Sequence, residues 1–366
     1  MRSVYLDNAA STKIRKEVLN YLVECLEKYY ANPSSVHSMG RESRVMLEKA
    51  RATVASLLNV KTQDILFTSG ATESNNLAIR GLLSKTDKKE IITSNIEHSS
   101  ILKLMNRLSD EGYIVHYVKT LPNGQVDVED LKKYLNTNTA LVSVMAVNNE
   151  TGVRQPIDKI SKLLANTGIY FHVDGAQLLG KMEVDPYLLG IDSMTGSAHK
   201  FYGPKGVGIL YLRDDIPVEK LIYGGPQERN KRAGTENLDA ILASAYALEL
   251  AYKNMKDERA YIKELNRYLL SKLSDKCIVN GENRIDDILS IQVKGKNIQT
   301  LLPMLDMKGI MVSGGSACMS GSLSASPVLI AMGLSEQEAN SSIRVSLGLH
   351  NTKEEIDYFI DCLEKM

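Results

Sequence analysis

Two residues in this chain have both the chemical type and the setting for a shared covalent task. Asp174 ends the apolar run Ile169-Tyr170-Phe171-His172-Val173 and is followed by Gly175-Ala176-Gln177. Lys200 stands in Ser197-Ala198-His199-Lys200, just ahead of the turn-rich Phe201-Tyr202-Gly203-Pro204-Lys205-Gly206. A carboxylate at a strand end and a lysine before such a turn meet the needs of pyridoxal phosphate (PLP). The lysine forms a Schiff base with the aldehyde, and the carboxylate keeps the pyridinium nitrogen protonated so that the ring can draw electrons. Lys205 is the rival lysine, but it sits within the turn itself, a poor place for a closely held nucleophile. Asp174 alone could be an ordinary capping or turn acid; its company with Lys200 favours the cofactor role.

Such a pair needs a sheet to position it. Strand-like runs recur at 65–67, 91–93, 114–118, 140–144, 170–173, 193–195 and 207–211, and helical patterns fill most of the links. In one of these, Leu102, Met105 and Leu108 share a helix face. Strands alternating with helices predict an α/β fold with a mostly parallel sheet covered on both faces. Ligands of such sheets sit beyond the strands' carboxyl ends, where Asp174 and Thr68-Ser69-Gly70 fall. Ser69-Gly70-Ala71-Thr72 follows a strand and opens a helix, a place where free N–H groups and the helix dipole suit a phosphate. Ser197 and His199, beside Lys200, are placed to complete that cup. From about 236 to 273 the pattern is long, apolar and helical, consistent with one or two helices. A smaller α/β lobe follows, with strands expected at 288–293, 310–313 and 342–346. The predicted division is a large cofactor-binding domain over 14–250 and a small domain of 1–13 with 251–366.

Composition narrows the function classes. Across 366 residues, 44 Lys and Arg balance 44 Asp and Glu, which leaves no electrostatic footprint for nucleic acid or an anionic membrane. No run is long and apolar enough to span a bilayer, and Asp7 interrupts the N-terminus where a secretion signal would stay apolar. The cysteines, Cys25, Cys277, Cys318 and Cys362, form no close pair. That argues against a zinc site or a disulfide framework and for a cytoplasmic protein with reduced thiols.

Cys318 is the cysteine in an unusual setting. It lies in Ser313-Gly314-Gly315-Ser316-Ala317-Cys318-Met319-Ser320-Gly321-Ser322, a stretch too poor in large side chains to pack a core and so expected to be mobile. Buried structural cysteines are the commoner kind, and Cys25, Cys277 and Cys362 read that way. Cys318 instead suits a sulfur carrier, provided its thiol is helped to ionise. Arg344, between strand-like residues in Ser342-Ile343-Arg344-Val345-Ser346, offers a planar fork that matches an α-carboxylate; a structural ion pair is the alternative.

Taken in order, several segments resemble the class I cysteine desulfurases, which are PLP enzymes of the aminotransferase class V-like family and fold type I. They are Tyr5-Leu6-Asp7-Asn8-Ala9-Ala10-Ser11-Thr12, Asn32-Pro33-Ser34-Ser35-Val36-His37, Phe67-Thr68-Ser69-Gly70-Ala71-Thr72-Glu73-Ser74 and Glu97-His98. Then come Val147-Asn148-Asn149-Glu150-Thr151-Gly152-Val153, the Asp174 and Lys200 segments, Arg232-Ala233-Gly234-Thr235-Glu236-Asn237, Gly315-Ser316-Ala317-Cys318 and 342–348. Each is weak alone; the ordered set spans nearly the whole chain. The resemblance implies a large domain with a seven-stranded sheet and a smaller C-terminal domain carrying the cysteine loop. It implies that His98 stacks on the PLP ring and moves protons, that Gln177 and Asn149 bond the ring's phenolic oxygen or its surroundings, and that Asn32 assists Arg344 at the substrate carboxylate. Thr235 matches a threonine that reaches the phosphate of a neighbouring subunit, which implies a homodimer. The reaction implied converts L-cysteine to L-alanine and leaves a persulfide on Cys318, with no metal. The sulfur then passes to an acceptor protein, an iron–sulfur scaffold or a tRNA-thiolation enzyme.

Two departures bear on that acceptor. Where the family often reads Ser-Leu-Glu-Pro-Ser after the loop cysteine, this chain has Ser322-Leu323-Ser324-Ala325-Ser326-Pro327, without the acid. It also stops soon after Gly348-Leu349-His350, where members that dock the scaffold commonly extend, which leaves a tRNA-thiolation partner as a live alternative. A selenocysteine lyase or other PLP lyase is a rival enzymatic reading, although a plain lyase needs no loop thiol. An inactive scaffold or regulator of the same fold is a rival of another class, but Lys200, Asp174 and Cys318 are all present.

Overall fold

The computed structural model describes residues 3–216, 218–315 and 325–366. Cys318, with the rest of 316–324, lies outside the described residues. The chain opens with β1 (Val4–Tyr5), α1 (Lys16–Lys28), α2 (Ser38–Leu57) and β2 (Ile65–Thr68). It then runs α3 (Ala71–Leu83), β3 (Glu90–Ser94), α4 (Ser99–Asp110), β4 (Ile114–Val118), α5 (Val128–Lys132), β5 (Thr139–Met145), α6 (Ile157–Leu164), β6 (Tyr170–Asp174), β7 (Ser193–Ser197) and β8 (Gly208–Leu212). The remainder is α7 (Leu238–Lys253), α8 (Met255–Lys272), β9 (Cys277–Asn280), β10 (Ile288–Val293), α9 (Ile298–Met307), β11 (Ile310–Met311), α10 (Pro327–Ala331), α11 (Glu336–Ala339), β12 (Ser342–Ser346) and α12 (Lys353–Glu364).

Seven strands form the main sheet in the order β2-β8-β7-β6-β5-β3-β4. All neighbours pair parallel except β8, which runs antiparallel to both β2 and β7. This is the mostly parallel α/β sheet that the strand–helix alternation predicts. Its central strands are buried on both faces, every residue of β5 and β8 included, as helices on either side of a parallel sheet require. α4 shows how the covering helices are written. Ile101, Leu104, Met105 and Leu108 are buried at helical spacing, whereas Leu102, expected on that stripe, stands off it and lines the cavity described below. The long apolar stretch resolves into two helices that meet at Asn254 (φ −100°, ψ 6°). α7 is buried on nearly all sides and packs with α1 and α2 in the main core, while α8 contributes Ile262, Leu265 and Leu269 to a separate core.

That second core gathers Val4 and Leu6 with residues of β10, α9, β12 and α12. β12, β10 and β9 form a three-stranded antiparallel sheet. β1 pairs parallel with β11, Val4 opposite Ile310 and Tyr5 opposite Met311. The chain then passes Asp7, bridged to Ser346, and carries residues 8–12 across to the open end of the main sheet.

Candidate active site

The carboxyl ends of β2, β3, β5, β6 and β7 border a cavity of ≈ 930 Å³, a size suited to a cofactor with its substrate. Ala71, Thr72, His98, Asn149, Asp174, Gln177, Ser197, His199, Lys200 and Arg344 line it. Two sequence candidates do not. Asn32 is exposed, and its side-chain oxygen accepts from the backbone of Ser34 at 2.8 Å. Thr235 is exposed outside the cavity lining.

Asp174 is buried at the end of β6, and both its oxygens are engaged. Oδ1 accepts from the N–H of Ala176 at 2.9 Å, and Oδ2 accepts from Asn75 Nδ2 at 2.9 Å. Because a carboxylate only accepts, the Asn75 amide is fixed in orientation. Its oxygen must then accept from His172 Nε2 at 3.0 Å, which places the proton on Nε2 and leaves Nδ1 to accept from Ser193 at 2.8 Å. Burial pushes the His172 imidazole down to about 4, so this ring is a neutral strut. Asn75 also donates to Ser100 Oγ at 2.9 Å, and that hydroxyl stands 2.9 Å from His98 Nδ1. The N–H of Ser100 also donates to His98 Nδ1 as the ring caps α4, which leaves the neutral ring's proton on Nε2. One buried network therefore sets both Asp174 and His98.

Lys200 ends a short 3₁₀ turn after β7. Its ammonium donates to the carbonyls of Ala9 at 2.7 Å and Ala10 at 2.8 Å. Gln177 Nε2 donates to the same Ala9 carbonyl at 2.9 Å, and Gln177 Oε1 accepts from Lys181 at 2.7 Å. Burial pushes the Lys181 amine down to about 8. His199 is half-buried, with Nδ1 3.3 Å from Ser11 Oγ; burial, then Lys200 and Lys205, lower it to about 4.

The first turn of α3 offers the N–H groups of Ala71 and Thr72, which have no intrahelical acceptor at a helix start. The N–H of Ser69 is already used, donating to Glu73 Oε2 at 2.8 Å. Burial pushes Glu73 up, but its bonds from Arg232 and Ser69 win and hold the carboxyl below its ordinary value. Gly208 sits in register with both Ser197 and Thr68. A Cβ there would lie 2.2 Å from Thr68 Oγ1 and 2.7 Å from the Gly70 backbone, so only glycine lets the 68–70 turn close against β8. A carboxylate with a lysine, and a close-packed helix start for an anion, form a donor set that fits PLP.

The wall opposite comes from distant parts of the chain. Arg344 is buried in β12; Nη2 pairs with Asp7 Oδ1 at 2.7 Å and Nη1 donates to the Asn149 carbonyl at 3.0 Å. Its Nε is buried without a partner among the described residues. Glu97 is also buried on the cavity. Its Oε1 accepts from Ser94 at 2.5 Å and from the N–H of Met145 at 3.1 Å, while Oε2 has no partner among the described residues. Burial pushes Glu97 up to about 8, with a smaller push from Asp174.

Asn75, His172, Ser100, Asp7, Glu97 and Lys181 are site residues that sequence reasoning missed. His172 could have been found: it lies two residues before Asp174 on one strand face. Gln177 and Lys181 share a helix-like spacing. Nothing local in the sequence points Asp7 at Arg344. Of the other thiols, Cys25 is buried and pushed up to about 11 by that burial, and burial also raises Cys277. Among the described residues no group of His, Cys, Asp and Glu could hold a metal ion, and no helix is long and apolar enough to cross a membrane.

The model of the Aminotransferase class-V family matches residues 4–359. "Cysteine desulfurase IscS" of Dictyoglomus turgidum is 42% identical over 372 residues, covering 100% of this chain and 94% of that protein. Among solved structures, a "NifS-like protein" superposes with a TM-score of 0.94 at 37% identity, covering 100% of this chain and 99% of the other. "SspA in complex with cysteine" superposes with a TM-score of 0.86 at 32% identity, covering 96% of this chain and all of the other.

Proposed function

Because this chain belongs to the aminotransferase class-V family and is a PLP-dependent cysteine desulfurase, we propose that it moves the sulfur of L-cysteine onto Cys318 through the cavity residues above. The observation that carries this reading is the convergence of Asp174, Lys200 and His98 on one cavity, with Arg344 on its wall. The similar solved structure described with cysteine supports the same substrate.

PLP, when bound, supplies an electron sink that loosens the substrate's α-proton and its C–S bond. Asp174 would hold a proton on the ring nitrogen, and Asn75 keeps that carboxylate in place. Ala71 and Thr72, with Ser197 and His199, would bind the phosphate. Gln177 and Asn149 would border the ring's phenolic oxygen. Lys200 would hold the cofactor covalently and, once released by the substrate, move the proton at the substrate's Cα. His98, with its Nε2 proton, would pack over the ring and exchange a proton with substrate. Arg344 would bind the α-carboxylate; Asn32, exposed and outside the cavity lining, is given no part there. The Cys318 thiolate would attack the substrate sulfur, so the C–S bond breaks as an S–S bond forms; cysteine and thiol become alanine and persulfide, with no outside oxidant.

The sulfur then goes to an acceptor protein, for iron–sulfur cluster assembly or tRNA thiolation. The exposure of Thr235 outside its own chain's cavity supports a homodimer in which it serves the neighbouring site. The test is intact mass after brief exposure to L-cysteine, for wild type and Cys318→Ala, with alanine assayed in parallel. One added sulfur on wild type only, with alanine formed, is the expected result. Alanine without any sulfur adduct on wild type would point to a lyase and sink the relay.

A further inference from the structure

Asn148-Asn149-Glu150-Thr151-Gly152 makes a tight turn at the end of β5. Asn148 Oδ1 accepts from the N–H groups of Glu150 at 3.0 Å and Thr151 at 2.9 Å, and Asn148 Nδ2 donates to the Ile96 carbonyl at 3.0 Å. Gly152, at φ +73°, lies so close to Ile288 that a Cβ would stand 2.7 Å from its carbonyl oxygen. Glu150 is thus projected from a turn with little freedom, and it is buried at 4% exposure.

Two chain-distant residues converge on its Oε2. Ser326 Oγ lies 2.5 Å away. Since that same Oγ accepts from the N–H of Leu329 at 3.3 Å as it caps α10, its proton is directed to the carboxyl. On the other side is Gly315, at φ +67°; a Cβ there would lie 2.9 Å from Glu150 Oε2 and 3.3 Å from Ser326 Cβ. Gly315 and Ser326 flank Cys318 in sequence. Ser313 is fixed nearby, exchanging backbone hydrogen bonds with Arg344 at 3.1 and 2.6 Å, and Arg344 reaches back to the carbonyl next to Glu150.

We propose that Glu150 is a positioning residue for sulfur transfer: its carboxyl gathers both chain segments that flank Cys318 onto the wall that carries Arg344. The inference rests on the reading of Cys318 as the sulfur carrier. With Gly315 and Ser326 both held against Glu150, the described chain on either side of Cys318 has a fixed origin at this wall, and small losses of placement cost rate steeply. The carboxyl acts as an acceptor from Ser326. Removing it therefore slows capture of the sulfur while substrate still binds.

The experiment uses cofactor-loaded wild type, Glu150→Ala, Glu150→Gln and Ser326→Ala, mixed rapidly with L-cysteine. Intact mass of acid-quenched samples follows sulfur addition, and the cofactor's absorbance change gives the half-saturating cysteine concentration. Glu150→Ala is expected to slow sulfur addition about tenfold or more with half-saturation within about twofold. Glu150→Gln, which keeps an oxygen acceptor of the same shape, should restore the rate to within about threefold. Ser326→Ala removes the donor, leaves Glu150 in place and should slow addition in the same direction. Sulfur addition equally fast in wild type and both alanine variants overturns the inference alone. So does a loss in Glu150→Ala that Glu150→Gln fails to restore and that a raised half-saturation accounts for. No adduct on wild-type Cys318 overturns the carrier reading, and this inference with it.

Discussion

The floor of the cavity is drawn from the strand ends of one sheet, whereas its wall carries Arg344 and Glu150, held from behind by Asp7, Gly315 and Ser326 from both ends of the chain. On the floor, strand register does the placing: Asp174 lies in register with both Met145 and Thr195, and its two oxygens have donors before any ligand arrives. On the wall, side-chain pairs do the placing, and Arg344 Nε is left without a partner among the described residues. The difference teaches where each kind of damage should show. Floor substitutions should remove chemistry, and wall substitutions should change binding or placement.

Lys200→Ala is the severest floor change. Alanine formation should fall by about 10³-fold or more, and the cofactor should wash out on gel filtration. Survival of a tenth of wild-type turnover would move the covalent role off Lys200. On the wall, Arg344→Lys keeps a cation for Asp7 but loses the planar fork. The KM for L-cysteine should rise about 10- to 100-fold, with a smaller change in kcat. A fall in kcat at unchanged KM would erase the contrast, because Arg344 would then behave as a floor residue. Asn75→Ala probes the floor away from any reacting atom. It cuts the hydrogen-bond link between Asp174 and Ser100, and kcat should drop about tenfold with cofactor content retained. Loss of cofactor from Asn75→Ala would show that the network binds rather than orients.

The same contrast explains what could be read from the sequence. Strands β2 to β8 lie within a residue or two of the runs that mark them, and most of those runs are apolar because the strands are buried on both faces; β7 is buried yet largely polar, and the edge strand β4 is partly exposed. Asp174, Lys200 and the 69–72 turn follow from that, since a parallel sheet presents its carboxyl ends to ligands. The wall has no such rule. Asp7 meets Arg344 only because β1 pairs with β11 while Ser346 bridges to Asp7, a long-range register that local periodicity does not encode. Glu150 sits in a motif visible in the sequence, yet its partner Ser326 is named by three-dimensional closure alone. A spacing of three puts Leu102 on the face of Met105 and Leu108, whereas the buried α4 stripe runs through Ile101, Leu104, Met105 and Leu108.

Glu97 offers the gentlest test, because it lies where floor and wall meet and its effect is on stability. Burial raises its carboxyl to about 8 from an ordinary 4.5, and Asp174 adds to the rise against the hydrogen bonds from Ser94 and Met145. Between those two values the folded protein holds a proton that the unfolded chain releases. Stability from this group is therefore full below about pH 4.5, declines as pH climbs, and is lost once pH passes about 8. Glu97→Gln keeps the oxygen that Ser94 and Met145 address but cannot ionise. The variant should thus lack this component of the slope, gaining on wild type by on the order of 4 kcal/mol between pH 5 and pH 8.5 in urea unfolding. A wild-type-minus-variant difference that stays flat across this range would mean that Glu97 is ionised in the fold. The floor would then carry two neighbouring negative charges, and the view that it is settled before a ligand arrives would fail at that point.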